Sequence, residues 1–284
     1  MAAISLQGVN LGYMKLDWEF LCFPHPERIL HAGNPRSEHI LYDCPALCYI
    51  IDHPDGRILW ETGVSSRWAD EWPDAWKALI DLEQVTPEVC LEHRLKELGY
   101  GPEDFRYLAM GHLHCDHAGG MRIFQDAGTE ILVHEDEWKH VNNLEAEGTL
   151  QNFFHSPADL EVLKAKRPTL ISGEQEEIAE GVTLVALPGH TAGTMGLQIE
   201  LEHTGTVLLT SDALYYHDSY GPPEVGSPVT WDTVAHRRSA AKIRKIALEK
   251  EAYLFPGHDE TGIRQYKNRS EFVDIKFTPE YRYE

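Results

Sequence analysis

The sequence predicts a layered α/β fold with its chemistry gathered along one edge. Three observations predict it. Short apolar runs alternate with helical stripes, the pattern of sheets covered by helices. Four of those runs end directly in a metal-capable side chain, at His112, His190, Asp212 and His258. The tripeptide Pro-Gly-His occurs after two separate runs, ending at His190 and at His258, and sets each His on a tight turn just beyond a strand. Layered folds place their sites at such converging strand ends.

Taken in order, residues 1–40 mix Leu11, Tyr13, Met14, Trp18, Phe20, Leu21 and Phe23 with Pro24 and Pro26, and no regular element is legible there. Residues 46–52 read as a buried strand, His53-Pro54-Asp55-Gly56 as a turn and residues 57–60 as the returning strand. Trp68, Trp72 and Trp76 are four apart. On a helix they form one aromatic stripe, either core or the wall of an apolar pocket. Thr86-Pro87 reads as a helix start, with Leu91, Leu95 and Leu98 on one face and Gly99 closing it. Residues 105–110 form a strand, 130–133 another, 135–141 a helix, and the polar stretch 142–168 a helical excursion over the site. Residues 182–187 lead into the first Pro-Gly-His, and 195–201 with 206–210 form a hairpin ending at Ser211-Asp212. Between Trp231 and Lys250, Val234, Ile243, Ile246 and Ala247 make a helical stripe, and 252–255 reads as a last strand.

The densest chemistry lies in Met110-Gly111-His112-Leu113-His114-Cys115-Asp116-His117-Ala118-Gly119-Gly120. Imidazole nitrogen and carboxylate oxygen suit zinc and its first-row neighbours. His112 and His114, two apart, project to one side of an extended segment. Asp116 and His117 are adjacent and aim elsewhere. The run therefore reads as two half-sites side by side, which points to two metals. Gly119 and Gly120 are expected to let the chain turn tightly after the ligands.

Bulk composition narrows the partners. The 284 residues are read as one domain, 1–284, with ample core. Lys and Arg total 25 against 46 Asp and Glu, a formal charge of −21. That field repels nucleic acid and anionic membranes and favours a small neutral substrate. The five cysteines, Cys22, Cys44, Cys48, Cys90 and Cys115, are odd in number and form no CxxC, so no disulfide framework is expected. No signal peptide is visible, and no apolar run approaches the ~20 residues that span a bilayer. A cytoplasmic setting is the expectation. The apolar N-terminal segment is offered as the contact of a homodimer.

His112-Leu113-His114-Cys115-Asp116-His117, Gly189-His190, Ser211-Asp212 and Gly257-His258, in that order, resemble the metallo-β-lactamase superfamily over roughly residues 40 to 260. Within it the chain looks most like the N-acyl-homoserine lactonases. Cys48-Tyr49-Ile50-Ile51, Leu98-Gly99-Tyr100, the whole metal run and Ser211-Asp212-Ala213-Leu214-Tyr215 carry that resemblance. It implies an αββα sandwich of two mixed β-sheets flanked by helices. It implies two divalent cations, zinc first, with iron, manganese and cobalt as alternatives. His112, His114 and His190 would bind one, Asp116, His117 and His258 the other, and Asp212 would bridge them.

The implied activity is hydrolysis of a small-molecule lactone. A pair of cations about 3.5–4 Å apart readies a water at neutral pH. Asp116 orients it and relays a proton, and Tyr215 donates to the developing oxyanion. Alternatives are a hydroxyacylglutathione-type thioesterase and a pyridoxolactone-type hydrolase. Two departures stand out. Glu61 replaces the family's usual Asp beside the ligands, and Cys115 stands where lactonases often carry a bulky apolar residue.

Overall fold

In the computed structural model, which describes residues 4–21, 41–220, 226–260, 263–267, 271–275 and 282–284, the N-terminal apolar segment is a long strand. This is β1 (Ser5–Asp17), followed by the single turn α1 (Trp18–Leu21). No strand was legible there because its partner is β2 (Leu41–Asp52), beyond an intervening stretch, and pairing across that distance leaves no local turn signal. The stretch read for a subunit contact is thus largely built into this chain's own sheet. Phe23, Pro24, Pro26 and Cys22 lie outside the described residues.

The hairpin at His53–Gly56 joins β2 to β3 (Arg57–Trp60), as predicted. The tryptophan stripe is broken. Trp72 precedes Pro73, and the ring of a proline pushes the residue before it out of helical backbone. Trp72 accordingly sits at φ −86°, ψ 139°, between α2 (Trp68–Glu71) and α3 (Asp74–Leu79). Trp72 and Trp76 pack edge to face, 5.6 Å between ring centroids, in the core. None of the three tryptophans lines the cavities beside the His cluster.

Thr86-Pro87 opens only a turn. The helix α4 (Leu91–Glu97) begins later, after the extended Cys90. Then come β4 (Phe105–Ala109), the short α5 (Cys115–Ala118), β5 (Glu130–His134), α6 (Glu135–Ala146), α7 (Pro157–Lys166) and β6 (Thr169–Ile171). The polar stretch 142–168 is therefore largely helical, as expected.

The second half gives β7 (Gln175–Ala179), β8 (Val182–Ala186), β9 (Met195–Leu201), β10 (Gly205–Leu209), α8 (Thr233–Lys250) and β11 (Tyr253–Phe255). The last-strand expectation fails: β12 (Ile263–Lys267), β13 (Glu271–Ile275) and β14 (Arg282–Tyr283) follow. Val234 also misses its place, at 59% exposed. The buried face of α8 runs through His236, Ser239, Ala240, Ile243, Ile246 and Ala247.

Two mixed sheets result, in the orders β14-β1-β2-β3-β4-β5-β6 and β13-β12-β11-β10-β9-β8-β7. Alternation along the strands explains their stacking. In β2, Leu47, Tyr49 and Ile51 face the second sheet, while Cys44, Ala46, Cys48 and Ile50 lie on the other face, in the cluster that holds Leu91 and Leu95 of α4. In β10, Val207 and Leu209 face the first sheet, while Leu208 packs on Ile243, Ile246 and Ala247 of α8. Strands buried on both faces need helices outside both sheets, so the αββα sandwich follows from the apolar pattern. No described helix is long and apolar enough to cross a membrane.

Candidate metal centre

Five strand ends from both sheets deliver the site. Glu61 follows β3, the His112–His117 run follows β4, His190 follows β8, Asp212 follows β10 and His258 follows β11. The run divides where expected. His114 is extended at φ −68°, ψ 155° and forms the N-cap of α5, which carries Asp116 and His117 on its first turn. Gly119 and Gly120 do not act as expected. At φ −63° and −84° they are backbone any residue adopts. What they permit is close approach, since a Cβ on Gly119 would stand 2.1 Å from Ser65 N.

The seven predicted ligands converge in two groups. His112, His114 and His190 bring ligand nitrogens within 4.8 Å of one another, and Asp116, His117 and His258 do the same. His190 Nε2 is 2.9 Å from His114 Nδ1 and 3.2 Å from His112 Nε2. His117 Nε2 is 3.3 Å from His258 Nε2, and each is 3.6 Å from Asp116 Oδ2. Asp212 stands between the groups with one oxygen for each. Its Oδ2 lies 3.4 Å from His190 Nε2 and 3.9 Å from His112 Nε2. Its Oδ1 lies 3.3 Å from both His117 Nε2 and His258 Nε2.

Glu61 forms a further acidic–imidazole group with His112 and His117. It stands behind both rings, 3.0 Å from His117 Nδ1 directly and 4.0 Å from His112 Nδ1, whose own partner is Ser211 Oγ at 3.1 Å. Ser211 Oγ donates to Glu61 Oε1 at 2.6 Å, and His258 Nδ1 donates to the Pro45 carbonyl at 2.9 Å. The longer carboxylate at position 61 therefore reaches the ligand rings without entering the cluster.

The donor set fits a pair of cations. Burial, then the neighbouring imidazoles, hold His112 and His114 well below the usual histidine range. Burial takes His190 to about 3, only partly offset by Asp212. These rings are neutral, the form that coordinates. Burial would also lower His117 and His258, but Glu61, Asp212 and Asp116 around the first, and chiefly Asp212 beside the second, pull both well above it. Burial would raise the Asp212 carboxyl, yet His258, His117 and His190 keep it well below the carboxylate range. Asp212 Oδ1 is buried with no hydrogen bond to it. A buried acceptor among imidazole nitrogens calls for a cation.

Two cavities meet at His114, Phe154 and Val229. One, about 40 Å³, is bounded by Met14, Leu16, Cys115, Asp116, Tyr215 and His258. The other, about 250 Å³, is bounded by His140, Phe153, His155, His190, Thr191 and Trp231. Tyr215 stacks on His258 at 5.3 Å between centroids, and its hydroxyl is 3.4 Å from His190 Nδ1. It thus touches a member of each group. Cys115 is buried, and burial holds its thiol well above the usual range, so it is a small inert wall.

Histidines without ligand spacing take other roles. His134 caps α6 through Asp136 N, and His217 pairs with Asp259 Oδ2 at 2.6 Å. His140 and His155 border the larger cavity, His155 with its ring 4.8 Å from that of His114, and His236 is buried on α8. Sequence reasoning missed Glu137, buried on α6 with both oxygens on loop N–H groups, and Phe154, which forms the partition between the cavities at φ 57°. An acidic residue in a helix's first turn carries no motif. The unusual backbone at Phe154 has no sequence signature in a bulky residue.

The chain matches the metallo-beta-lactamase superfamily profile over residues 41–258. It is 30% identical over 264 residues to the N-acyl homoserine lactonase AiiB of Agrobacterium fabrum, covering 88% of this chain and 92% of that one. It is 31% identical over 241 residues to an N-acyl homoserine lactonase of a Bacillus species, covering 82% and 88%. A solved structure of an N-acyl homoserine lactone hydrolase, with N-hexanoyl-L-homoserine bound at its catalytic metal centre, superposes with a TM-score of 0.75 at 25% identity, over 96% of this chain and 100% of that one. The convergence of both ligand groups on Asp212 agrees with that kinship: the chain belongs to the metallo-β-lactamase superfamily and, within it, to the group that contains these lactonases.

Proposed function

We propose that this protein is a dinuclear metal-dependent lactonase that opens the ring of N-acyl-homoserine lactones, with 1–284 acting as a single catalytic domain. The observation that carries the reading is Asp212, whose two oxygens face two separate imidazole groups across a buried strand edge. His112, His114 and His190 would hold one cation, Asp116, His117 and His258 the other, with Asp212 shared. Zinc is the first expectation for this nitrogen-rich set. Bound there, the cations supply an activated water and a polarised ester carbonyl.

The chain's own groups do the rest. Asp116, on the rim with its side chain 20% exposed, orients the water and takes its proton as the carbonyl carbon is attacked. His190, pointing Nε2 inward, carries its proton on Nδ1 and turns it toward the Tyr215 oxygen. The Tyr215 hydroxyl hydrogen is thereby left to donate to the carbonyl oxygen as it becomes anionic. The ring C–O bond then breaks, Asp116 returns a proton to the departing oxygen, and the new carboxylic acid ionises. Phe153, Phe154, Val229 and Trp231 offer apolar walls to the acyl group in the larger cavity. Cys44, Cys48, Cys90 and Cys115 are buried free thiols, which suits a reducing cytoplasm.

The test is a panel of acyl-homoserine lactones, simple lactones and glutathione thioesters followed by proton release, with metal analysis of the same sample. Acid release from acyl-homoserine lactones by protein holding two metals per chain is the expected result. Turnover of thioesters with every lactone left intact would overturn the reading.

A further inference from the structure

Glu137 lies in the first turn of α6 and is 1% exposed. Its two carboxylate oxygens serve two different loops. Oε1 accepts the backbone N–H of Leu113 at 3.0 Å, and Oε2 accepts that of Gly193 at 2.9 Å. Leu113 is the residue between His112 and His114. Gly193 sits three residues beyond His190. Residue 193 must lack a side chain for this contact, since a Cβ there would stand 2.3 Å from Glu137 N and 2.6 Å from its Cβ. The next peptide, between Leu113 and His114, is fixed as well: His155 Nδ1 donates to the Leu113 carbonyl at 2.8 Å.

We propose that Glu137 is a positioning residue for the His112/His114/His190 half-site, spanning the two loops that carry those rings and setting their spacing through the backbone. The inference rests on the metal reading above. A carboxylate suits the task because it offers two acceptors and no donor. The N-terminal end of α6 also favours a negative charge at this position. Glutamine has the same shape but one acceptor and one N–H₂. One loop N–H would then face a donor, and that loop would move away.

The consequence is selective. Groups behind metal ligands typically change metal affinity by about 10- to 100-fold. Glu137→Gln is expected to weaken one zinc equivalent by that factor while the Asp116/His117/His258 half-site keeps its affinity. A residue that merely holds the fold would lower the melting temperature and leave the two equivalents alike.

The experiment is a zinc titration of chelator-stripped full-length protein against a chromophoric chelator, with absorption spectra of the cobalt-substituted forms. Wild-type protein should take up two tight equivalents, and Glu137→Gln one tight and one weakened, with the ligand-field bands of one cobalt altered. Gly193→Ala pushes the loop off an intact Glu137 and should give the same selective loss, which decides the matter if Glu137→Gln does not fold. Two equivalents as tight as wild type in the variants, or both weakened equally, overturn the positioning role while leaving the metal reading in place. Wild-type protein that takes up no zinc overturns both.

Discussion

Asp212 is where a single atom matters most, because each of its oxygens answers a different set of imidazoles. Asp212→Ala should release both metals together and lose activity with them, measured by metal content per chain beside lactone turnover. Retention of one tight metal would remove the shared-ligand role. Tyr215→Phe tests a different layer. The hydroxyl touches no ligand except His190 Nδ1, so the variant should keep its metals while kcat falls on the order of 10²-fold, the usual cost of one oxyanion donor. Asp159 on α7 gives a residue-scale prediction away from the chemistry. Burial, with Glu71 adding and Arg122 opposing, pushes its carboxyl up to about 7 from an ordinary 3.8, and its Oδ2 has no hydrogen bond. The folded state thus holds this proton more tightly than the unfolded one. The stabilisation is full below pH ~4 and is lost as pH rises through about 7, on the order of 4 kcal/mol by the size of the shift. Asp159→Asn keeps the shape without the charge, so its stability relative to wild type should improve between pH 5 and 8 in denaturant titrations. A constant difference across that range would rule out the buried proton.

Among the elements, α8 is tied to the site at its start. Asp232 Oδ1 accepts from Val234 N at 2.8 Å and Ala235 N at 3.0 Å, a helix cap. The backbone N–H groups of Trp231 and Asp232 reach back to the carbonyls of His190 and Gly189. Asp232→Ala should cost about 1 kcal/mol of stability in chemical unfolding, with activity falling beyond what that loss explains, because the His190 loop loses its brace. Activity unchanged per folded molecule would mean that cap and loop are uncoupled. The elements also mark what could be read in advance. The hairpin at His53–Gly56, the strands ending in His112, His190 and Asp212, and both Pro-Gly-His turns are short-range patterns, and all are where the sequence put them. Failures came where tertiary partners decide. The pairing of β14 with β1 joins opposite ends of the chain, with no turn between to announce it. Trp68, Trp72 and Trp76 kept a helical spacing that one proline overruled. Glu137 was invisible because its partners are backbone N–H groups far away in sequence.

At the scale of the whole molecule, the site is the place where the two sheets are joined by charge rather than by apolar packing. One sheet contributes Glu61 and the run from His112 to His117, and the other contributes His190, Asp212 and His258. Glu61, Asp212 and the ligand histidines are almost wholly buried. Buried carboxylates and imidazoles held this close are costly unless a positive charge sits among them. The protein already carries a formal charge of −21, so removing two divalent cations moves it further from neutrality. Metal binding should therefore appear as folding stability. A ligand that binds only the folded state contributes about 2.7 kcal/mol when its free concentration is 100 times its Kd. For a chain of this size each kcal/mol moves the melting temperature by about 2–4 °C. Zinc added back to chelator-stripped protein should thus raise the melting temperature by roughly 10–20 °C once both half-sites are filled at such a ratio. The gain should shrink progressively as pH falls from about 8 to about 5, beginning above the ordinary histidine range, because His117 and His258, drawn toward protonation by their carboxylates, must be neutral to bind. Scanning calorimetry of stripped and zinc-loaded samples across pH 5–8 checks both statements. Equal melting temperatures at every pH would mean that the two sheets are held together without the cations, and that the buried carboxylates find their compensation elsewhere.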